Sequence, residues 1–344
     1  MPEIVDPLLE RSWDALVAGR PGALFQSRDW MRTLAQTYDF DFRASVERNS
    51  SGALSGGLPF CHINDIFGER IVMSPFSDFV VPATAGVKEW RSLVQPIIDA
   101  GVQVKVQTSQ DSDALADDRF AVAKTCRHHS IKLNADISEL VRRFRPLPRR
   151  NIRASEAAGL TFRATEDPRH LRAFFDLHLS VRKNRHQLLA QPYALFENLW
   201  KTFVEQGAGA LILGFDGEVV AGGCLLLEFD GVLYYKFAAS HLKYRSVGVS
   251  HAGVHASMIH GLERGCSALD LGCSDVDQPG LVNFKRRFGA EVSDLHTLML
   301  KNSPLEQCGE TAWVVSEFTR LFVQDCTPDQ LTEQAGDLLY RIFA

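Results

Sequence analysis

Two stretches of this 344-residue chain gather residue types that could do chemistry. The first is Arg245-Ser246-Val247-Gly248-Val249-Ser250, a basic loop that runs straight into the helix-like "HAGVHASMIHGLERG". A loop whose amides open a helix makes an anion site, because free N–H groups and the helix dipole both favour negative charge. Gly248 would let the backbone approach a phosphate closely. Arg245 would add a bidentate, charge-assisted contact. A plain strand-to-helix turn explains the same six residues without any ligand. The second stretch is "QPGLVNFKRRFGAE", residues 278–291, in which Pro279 suits a helix start and Gly289 its C-cap. A basic amphipathic helix with Leu281, Phe284 and Phe288 turned inward accounts for the apolar residues but not for Lys285.

Other candidates surround these two. Asp275 and Asp277, after the strand-like "DLG", could accept or orient an amine proton; an Asp-rich turn is the plain alternative. His178 and Arg182 stand at i, i+4 on one helical face and could bind a phosphate or carboxylate; a solvated face explains them equally. Tyr235 and Lys236 lie on the strand before the loop and join the substrate-side set. Two lookalikes fail on spacing. "GVSHAG" misses the G-x-S-x-G nucleophile elbow because its second Gly comes one residue late. His251 and His255 have zinc-helix spacing without the glutamate of H-E-x-x-H. No metal is expected.

The elements that must position these residues follow from periodicity. "ALILGFDGEVVAGGCLLLEFDGVLYYKFAAS" reads as three strands joined by Asp216-Gly217 and Asp230-Gly231 turns. A helix follows the loop to about Glu263, ended by Gly265, and then a short strand "SALDLG". Earlier, helices are expected at 6–19, from an N-cap at Ser27, and at 87–100. Strands are expected at 41–47, 53–62, 70–73, 102–107 and 120–125. "SGALSGGLPF" (51–60) faintly repeats "DGEVVAGGCLL" (216–226), which suggests two copies of one α/β fold. Six arginines fall between 142 and 153, with Pro146 and Pro148 breaking a helix and Gly159 stopping the next. The expected divisions are therefore 1–146, 147–304, and a helical tail over 305–344 with helices at about 309–325 and 328–342.

Composition sets the bounds. Hydrophobic residues make up 45% and charged residues 23%, ordinary for a globular chain with a sizeable core. A net charge of −5 argues against sequence-independent coating of nucleic acid, though a local basic patch is compatible with it. Seven scattered cysteines without C-x-x-C or Cys/His spacing read as reduced thiols, not a disulfide frame or zinc site. The N-terminus lacks a signal-peptide core, and no apolar run reaches membrane-span length, so a cytoplasmic protein is expected.

The order hairpin, strand, R-x-x-G-x-small loop, helix, strand resembles the core of the GNAT acyltransferase superfamily over about 160–301. In that superfamily an Arg/Gln-x-x-Gly-x-Gly/Ala loop holds the pyrophosphate of coenzyme A. Arg245 and Gly248 match it, and Ser250 stands in for the last small residue. Lys285 occupies the place where simple GNAT enzymes often carry a tyrosine. "NFKRRFG", the arginine-rich "LPRRNIRASEAAGL" and the early "FQSRDW" instead resemble the FemAB family of twin-GNAT transferases. The absence of a heptad arm resembles its compact members.

That resemblance implies an α/β (α+β mixed) fold with two tandem GNAT-like domains, each a mixed sheet flanked by helices, plus a C-terminal helical tail. It implies transfer of an acyl group from acyl-CoA, acetyl-CoA first among them, to an amine of a cell-envelope or polysaccharide-related acceptor. That acceptor could include a nucleotide-sugar or polysaccharide precursor. The alternative is an aminoacyl-tRNA donor with a peptidoglycan-precursor acceptor, for which the arginine run could contact tRNA. A non-catalytic binding module is a third alternative. Lys285 would polarise the carbonyl or oxyanion, with Asp275 and Phe284 beside it and residues 245–250 on the donor. The first-domain loop "SPFSDFVVPATAG" (74–86) lacks R-x-x-G-x-G and would shape an acceptor cleft without binding coenzyme A.

Overall fold

The computed structural model describes residues 2–302 and 309–344, which form two compact units. One comprises 1–127, 293–315 and 341–344; the other comprises 128–292 and 316–340.

In the first unit, β1 (Glu3–Val5) pairs antiparallel with β2 (Phe42–Arg48). The expected helix over 6–19 shrinks to α1 (Trp13–Val17). The Asp6 carboxylate accepts the Leu8 amide at 2.8 Å, a local turn that competes with a helix there. Helix α2 (Arg28–Tyr38) starts where expected, with the Ser27 hydroxyl accepting the Trp30 amide. β2, β3 (Leu54–Asp65) and β4 (Gly68–Val72) then form an antiparallel meander. Helix α3 (Val87–Ile98) returns the chain to β5 (Gln103–Ser109), parallel to β4. Trp90, Leu93, Val94 and Ile97 of α3 close the core over Leu58, Ile71 and Val104. The chain leaves along β6 (Phe120–Lys132), longer than the expected 120–125.

The second unit repeats this order. Helices α4 (Ile137–Arg143) and α5 (Pro146–Ala157) lead to β7 (Thr161–Thr165). Pro146 opens α5, as its fixed φ and missing N–H allow. Helices α6 (Pro168–Ser180) and α7 (Tyr193–Leu199) follow, each running on into a π-helical turn, at Val181–Arg185 and Trp200–Val204. β8 (Gly209–Asp216), β9 (Val219–Phe229) and β10 (Val232–Ser240) make the expected meander. At its second turn Asp230 and Gly231 have φ of 50° and 71°, both left-handed as a tight hairpin requires. At the first turn Asp216 still pairs with Val219, so the two loop residues are Gly217 and Glu218. Helix α8 (Val249–Glu263) crosses back to β11 (Ala268–Asp275), parallel to β10. Then come α9 (Pro279–Arg286) and β12 (Glu291–Leu300), which from Ser293 on belongs to the first unit and there pairs with β5 through residues 295–299. Cys224, Leu226, Val254, Met258, Leu269 and Phe288 centre this unit's core.

Helices α10 (Gly309–Phe322) and α11 (Asp329–Leu339) end the chain. Val323 and Ala335 bury against Leu189 in the second unit. Among the described residues no helix is long and apolar enough to cross a membrane, and no cysteine is disulfide-bonded. Cys308 lies outside the described residues.

Candidate active site

The two central parallel strands of the second unit part company. β10 and β11 pair only through Val232–Tyr234 and Ala268–Asp270. Beyond that point β10 stays with β9 as far as Ser240, while β11 runs on to Asp275. A bulge between Tyr235 and Phe237 inserts Lys236 where β10 leaves its neighbour. Such an extra residue bends a strand and breaks its ladder. On β11 the kink is at Gly272, whose φ of 70° few other residues could take. Asp270 holds that kink by accepting the Gly272 amide at 2.7 Å, and its other carboxylate oxygen lies 2.8 Å from His128 Nε2. A wedge-shaped opening between two strands results.

Lys285 closes one wall. From α9 its buried ammonium donates to the carbonyls of Gly272 (3.1 Å) and Cys273 (2.7 Å) on the diverging strand. The sequence asks for a cation here, and the fold uses it first to satisfy two kinked carbonyls. Phe284, the residue before it, meets the His251 and Phe288 rings edge-on, with centroids 4.9 and 5.3 Å apart. It forms an apolar wall. Leu281, expected inward, is exposed. Asp275 is half-buried at the end of β11, and Asp277 is exposed in the turn beyond it.

The first turn of α8 faces the open end. Ser250 Oγ lies 3.4 Å from Ser240 Oγ at the tip of β10, tying helix start to strand end. The amides of Val249 and Ser250 have no intrahelical acceptor, as in any first helical turn. Gly248 caps the helix in a left-handed conformation, φ 79° and ψ 22°. Its bare Cα makes room for α5. A Cβ there would sit 2.4 Å from the Asn151 carbonyl oxygen, so it is α5 that comes close. Arg245 and Ser246 are exposed in the loop, and Val247 is half-buried. With Asn151 seated on Gly248, Arg149, Arg150 and Arg153 of α5 add positive charge beside the loop.

His251, whose zinc-helix spacing lacks the glutamate and which reads instead as a face-filling or donor-contacting residue of the helix, has a defined setting. It is the third residue of α8 and receives the Asn151 side-chain amide at Nδ1 (3.2 Å), which leaves Nε2 as an N–H. Nε2 is buried without a partner among the described residues. Burial, and Arg287 nearby, push this imidazole down to about 4, so it is neutral at pH 7. Asn151 falls in the arginine-rich stretch that resembles FemAB members, but neither its bond to His251 nor the His128–Asp270 pairing is written in a motif. The partners lie 100 and 142 residues apart, so only the fold brings them together.

The substrate-side residues are placed differently from expectation. His178 is buried, not on an open face; its Nε2 lies 2.7 Å from Gln191 Oε1, and burial lowers it to about 4. Arg182, beyond the α6 terminus in a π-helical turn, donates to the Leu189 carbonyl at 2.9 Å. Both hold the 187–191 loop. Tyr235 points into the core near Cys224 and Gly253, and burial raises its hydroxyl well above the usual range. Lys236, as the bulge residue, is the member of this set nearest the opening.

In the first unit the corresponding opening is filled by the chain itself. After β4 the segment 78–83 lies along β5 and β3. The Val80 amide donates to the Gln107 carbonyl (2.8 Å), and Ala83 and Gly57 exchange two backbone bonds. Phe79 and Val80 are fully buried there.

Residues 142–286 match the family model of an acetyltransferase (GNAT) domain. The chain has a tandem GNAT fold, with the matched domain in its second unit. Its backbone is similar to that of FemX, at TM-score 0.64 and 15% identity over 91% of this chain and 100% of the other. L-PGS from Bacillus licheniformis matches at 0.58 and 14%, over 94% and 100%. A tandem GNAT protein from the clavulanic acid biosynthesis pathway matches at 0.53 and 12%, over 87% and 98%. No curated protein matches this chain in sequence.

Proposed function

We propose that the protein transfers an acyl group from acyl-CoA to an amine, with the wedge between β10 and β11 as the reaction site. The observation that carries this is the parting of those strands at Lys236 and Gly272, directly under the first turn of α8. An extended thioester arm needs a slot with unpaired backbone on its walls, and its pyrophosphate needs helix N-terminal amides with nearby cations. Both lie at one end of the second unit. Val249 and Ser250 offer amides to the phosphates, and Arg245 adds charge.

The chemistry needs a neutral amine, a place for the oxyanion and a route for one proton. The amine nitrogen attacks the thioester carbon, the carbonyl π-pair moves to oxygen, and collapse expels the CoA thiolate. Lys285 holds the backbone of the β11 wall in its kinked form and places its charge beside the reacting carbonyl. His251 contributes a neutral imidazole N–H in the dry wall formed with Phe284. Asp275, at the mouth of the wedge, takes the proton from the attacking amine. The first unit holds no second donor, because Phe79 and Val80 fill the place where one would bind.

A second reading, an aminoacyl-tRNA donor, is favoured by Arg149, Arg150 and Arg153 of α5 standing beside the same loop. A tRNA would engage that helix and its binding would fall steeply with salt. The amine would then come from a peptidoglycan-type or other envelope precursor; with acyl-CoA, from an envelope or polysaccharide amine.

Calorimetry with acetyl-CoA on the wild type and Ser250→Asp decides between them. An acid in the first turn of a helix stabilises the fold but repels an anionic donor. Binding that weakens at least about tenfold in a variant of undiminished stability supports the acyl-CoA reading. No binding to the wild type sends the assignment to aminoacyl-tRNA, and failure of both donors leaves a binding module.

A further inference from the structure

A second cavity lies in the same unit, away from the wedge. It opens between α5, β7, β8 and α8, with a volume of about 360 Å³. None of its lining residues comes from β10, β11 or α9. Its size falls in the ~300–1,000 Å³ range of small-molecule sites.

The floor is apolar, made by Ile152, Leu160, Phe162, Ile212, Ala256 and Ile259. Phe162 reaches across bare Gly214, where a Cβ would lie 2.6 Å from its ring. One polar group is set into this floor. Ser155 is 1% exposed, lines the cavity, and its hydroxyl has no hydrogen-bond partner among the described residues. Buried hydroxyls nearly always have partners, so a ligand group is the natural one here.

The rim determines the charge of that ligand. Glu156 and Glu263 are exposed at the cavity, and neither makes an ion pair among the described residues. The Arg163 guanidinium is turned over the Phe215 ring, 4.5 Å from its centroid. His255 and His260, the other polar residues of the lining, are shifted toward the neutral form by burial. Two carboxylates are thus left to meet a cation.

We propose that this cavity binds a small amphipathic amine. Its hydrocarbon body rests on the Ile212–Ile259 floor, a hydrogen-bonding group reaches Ser155 Oγ, and Glu156 and Glu263 hold the ammonium. Helix α5 carries both Asn151, seated on Gly248, and Ser155 and Glu156 of the cavity. An occupant therefore lies one helical turn from the donor loop without entering it.

Tyramine and phenethylamine are the probes, with 3-(4-hydroxyphenyl)propanoate as an anion of the same body. Binding to the full chain is measured by calorimetry and by ligand-observed NMR. Tyramine should bind once per chain. Its affinity should drop at least about tenfold in E156Q/E263Q, because charge-assisted contacts are lost while the fold is untouched. Ala256→Trp, which fills the cavity, should abolish binding; circular dichroism confirms that it folds, and should it fail to fold, the glutamine variant alone decides. The proposal is overturned if the wild type shows no saturable tyramine binding. It is equally overturned if the propanoate binds as tightly, or if E156Q/E263Q binds as the wild type does. None of these outcomes depends on whether the donor is acyl-CoA or aminoacyl-tRNA.

Discussion

The carbonyl oxygen of Asn151 occupies the space in which a side chain on Gly248 would begin, 2.4 Å from where its Cβ would sit. The arginine-rich helix and the 245–250 loop are therefore one mechanical unit, joined again by the Asn151 side chain at His251. Gly248→Ala would have to move α5 as well as adopt a left-handed φ. A loss on the order of 2 kcal/mol in urea denaturation is expected, with weaker donor binding. An alanine variant of unchanged stability would show that the contact is loose.

Lys285 offers a sharper test, because its structural and chemical duties can be separated. Lys285→Met leaves the Gly272 and Cys273 carbonyls buried without their donor, at about 1–3 kcal/mol for each group. Turnover should fall with it. Lost stability with an unchanged kcat would reduce Lys285 to a strut. Asp270→Asn weakens the same kink from the opposite side and should lower kcat in the same direction.

Acid should unfold the second unit earlier than its carboxylates alone would require. The folded state holds His178 at about 4, below the ordinary imidazole value near 6.5. The unfolded chain takes up that proton first, so stability is full above about pH 6.5 and falls as pH drops toward 4. For this buried ring the loss is on the order of 3 kcal/mol. His251 acts in the same direction. Thermal denaturation of His178→Gln between pH 7 and 4 should show a shallower decline than the wild type; equal slopes would contradict the assignment.

Thiol chemistry reports on the wedge directly. Burial raises Cys224 to about 12 and lifts Cys61 well above the usual range, so neither should react near neutral pH. Exposed Cys326 should alkylate quickly. Cys273, half-exposed on the diverging strand, should react slowly and more slowly still with acyl-CoA bound. Peptide mapping after iodoacetamide checks all four, and labelling of Cys273 indifferent to the donor would move the donor elsewhere.

Much of this arrangement was legible in the chain. The meander, the α8 crossover and the Pro279 start of α9 follow from period-2 runs, Asp-Gly turns and a Pro placed where its missing N–H is harmless. The repeat of a Gly-Gly strand did mark two copies of one topology, since β2-β3-β4-α3-β5 and β8-β9-β10-α8-β11 share pairing sense throughout. Less could be read of the site. His178 and Arg182 share a helical face, but periodicity does not say whether that face meets water or the 187–191 loop. Gly248 signalled close approach without naming what approaches. The pairings of Asn151, His128 and Asp270 could not be read, because their partners lie far away in sequence.

Phe79 and Val80 sit in the first unit's opening as a built-in occupant, which makes the asymmetry between the copies hard to undo. Writing an Arg-x-x-Gly sequence into 74–86 would supply phosphate-binding residues yet leave the slot plugged. Opening that slot would require removing a length of chain, not exchanging side chains, and the removed length also supplies two of the buried residues on which that unit's fold rests. The difference between the halves is thus anchored in backbone and resists reversal by point mutation.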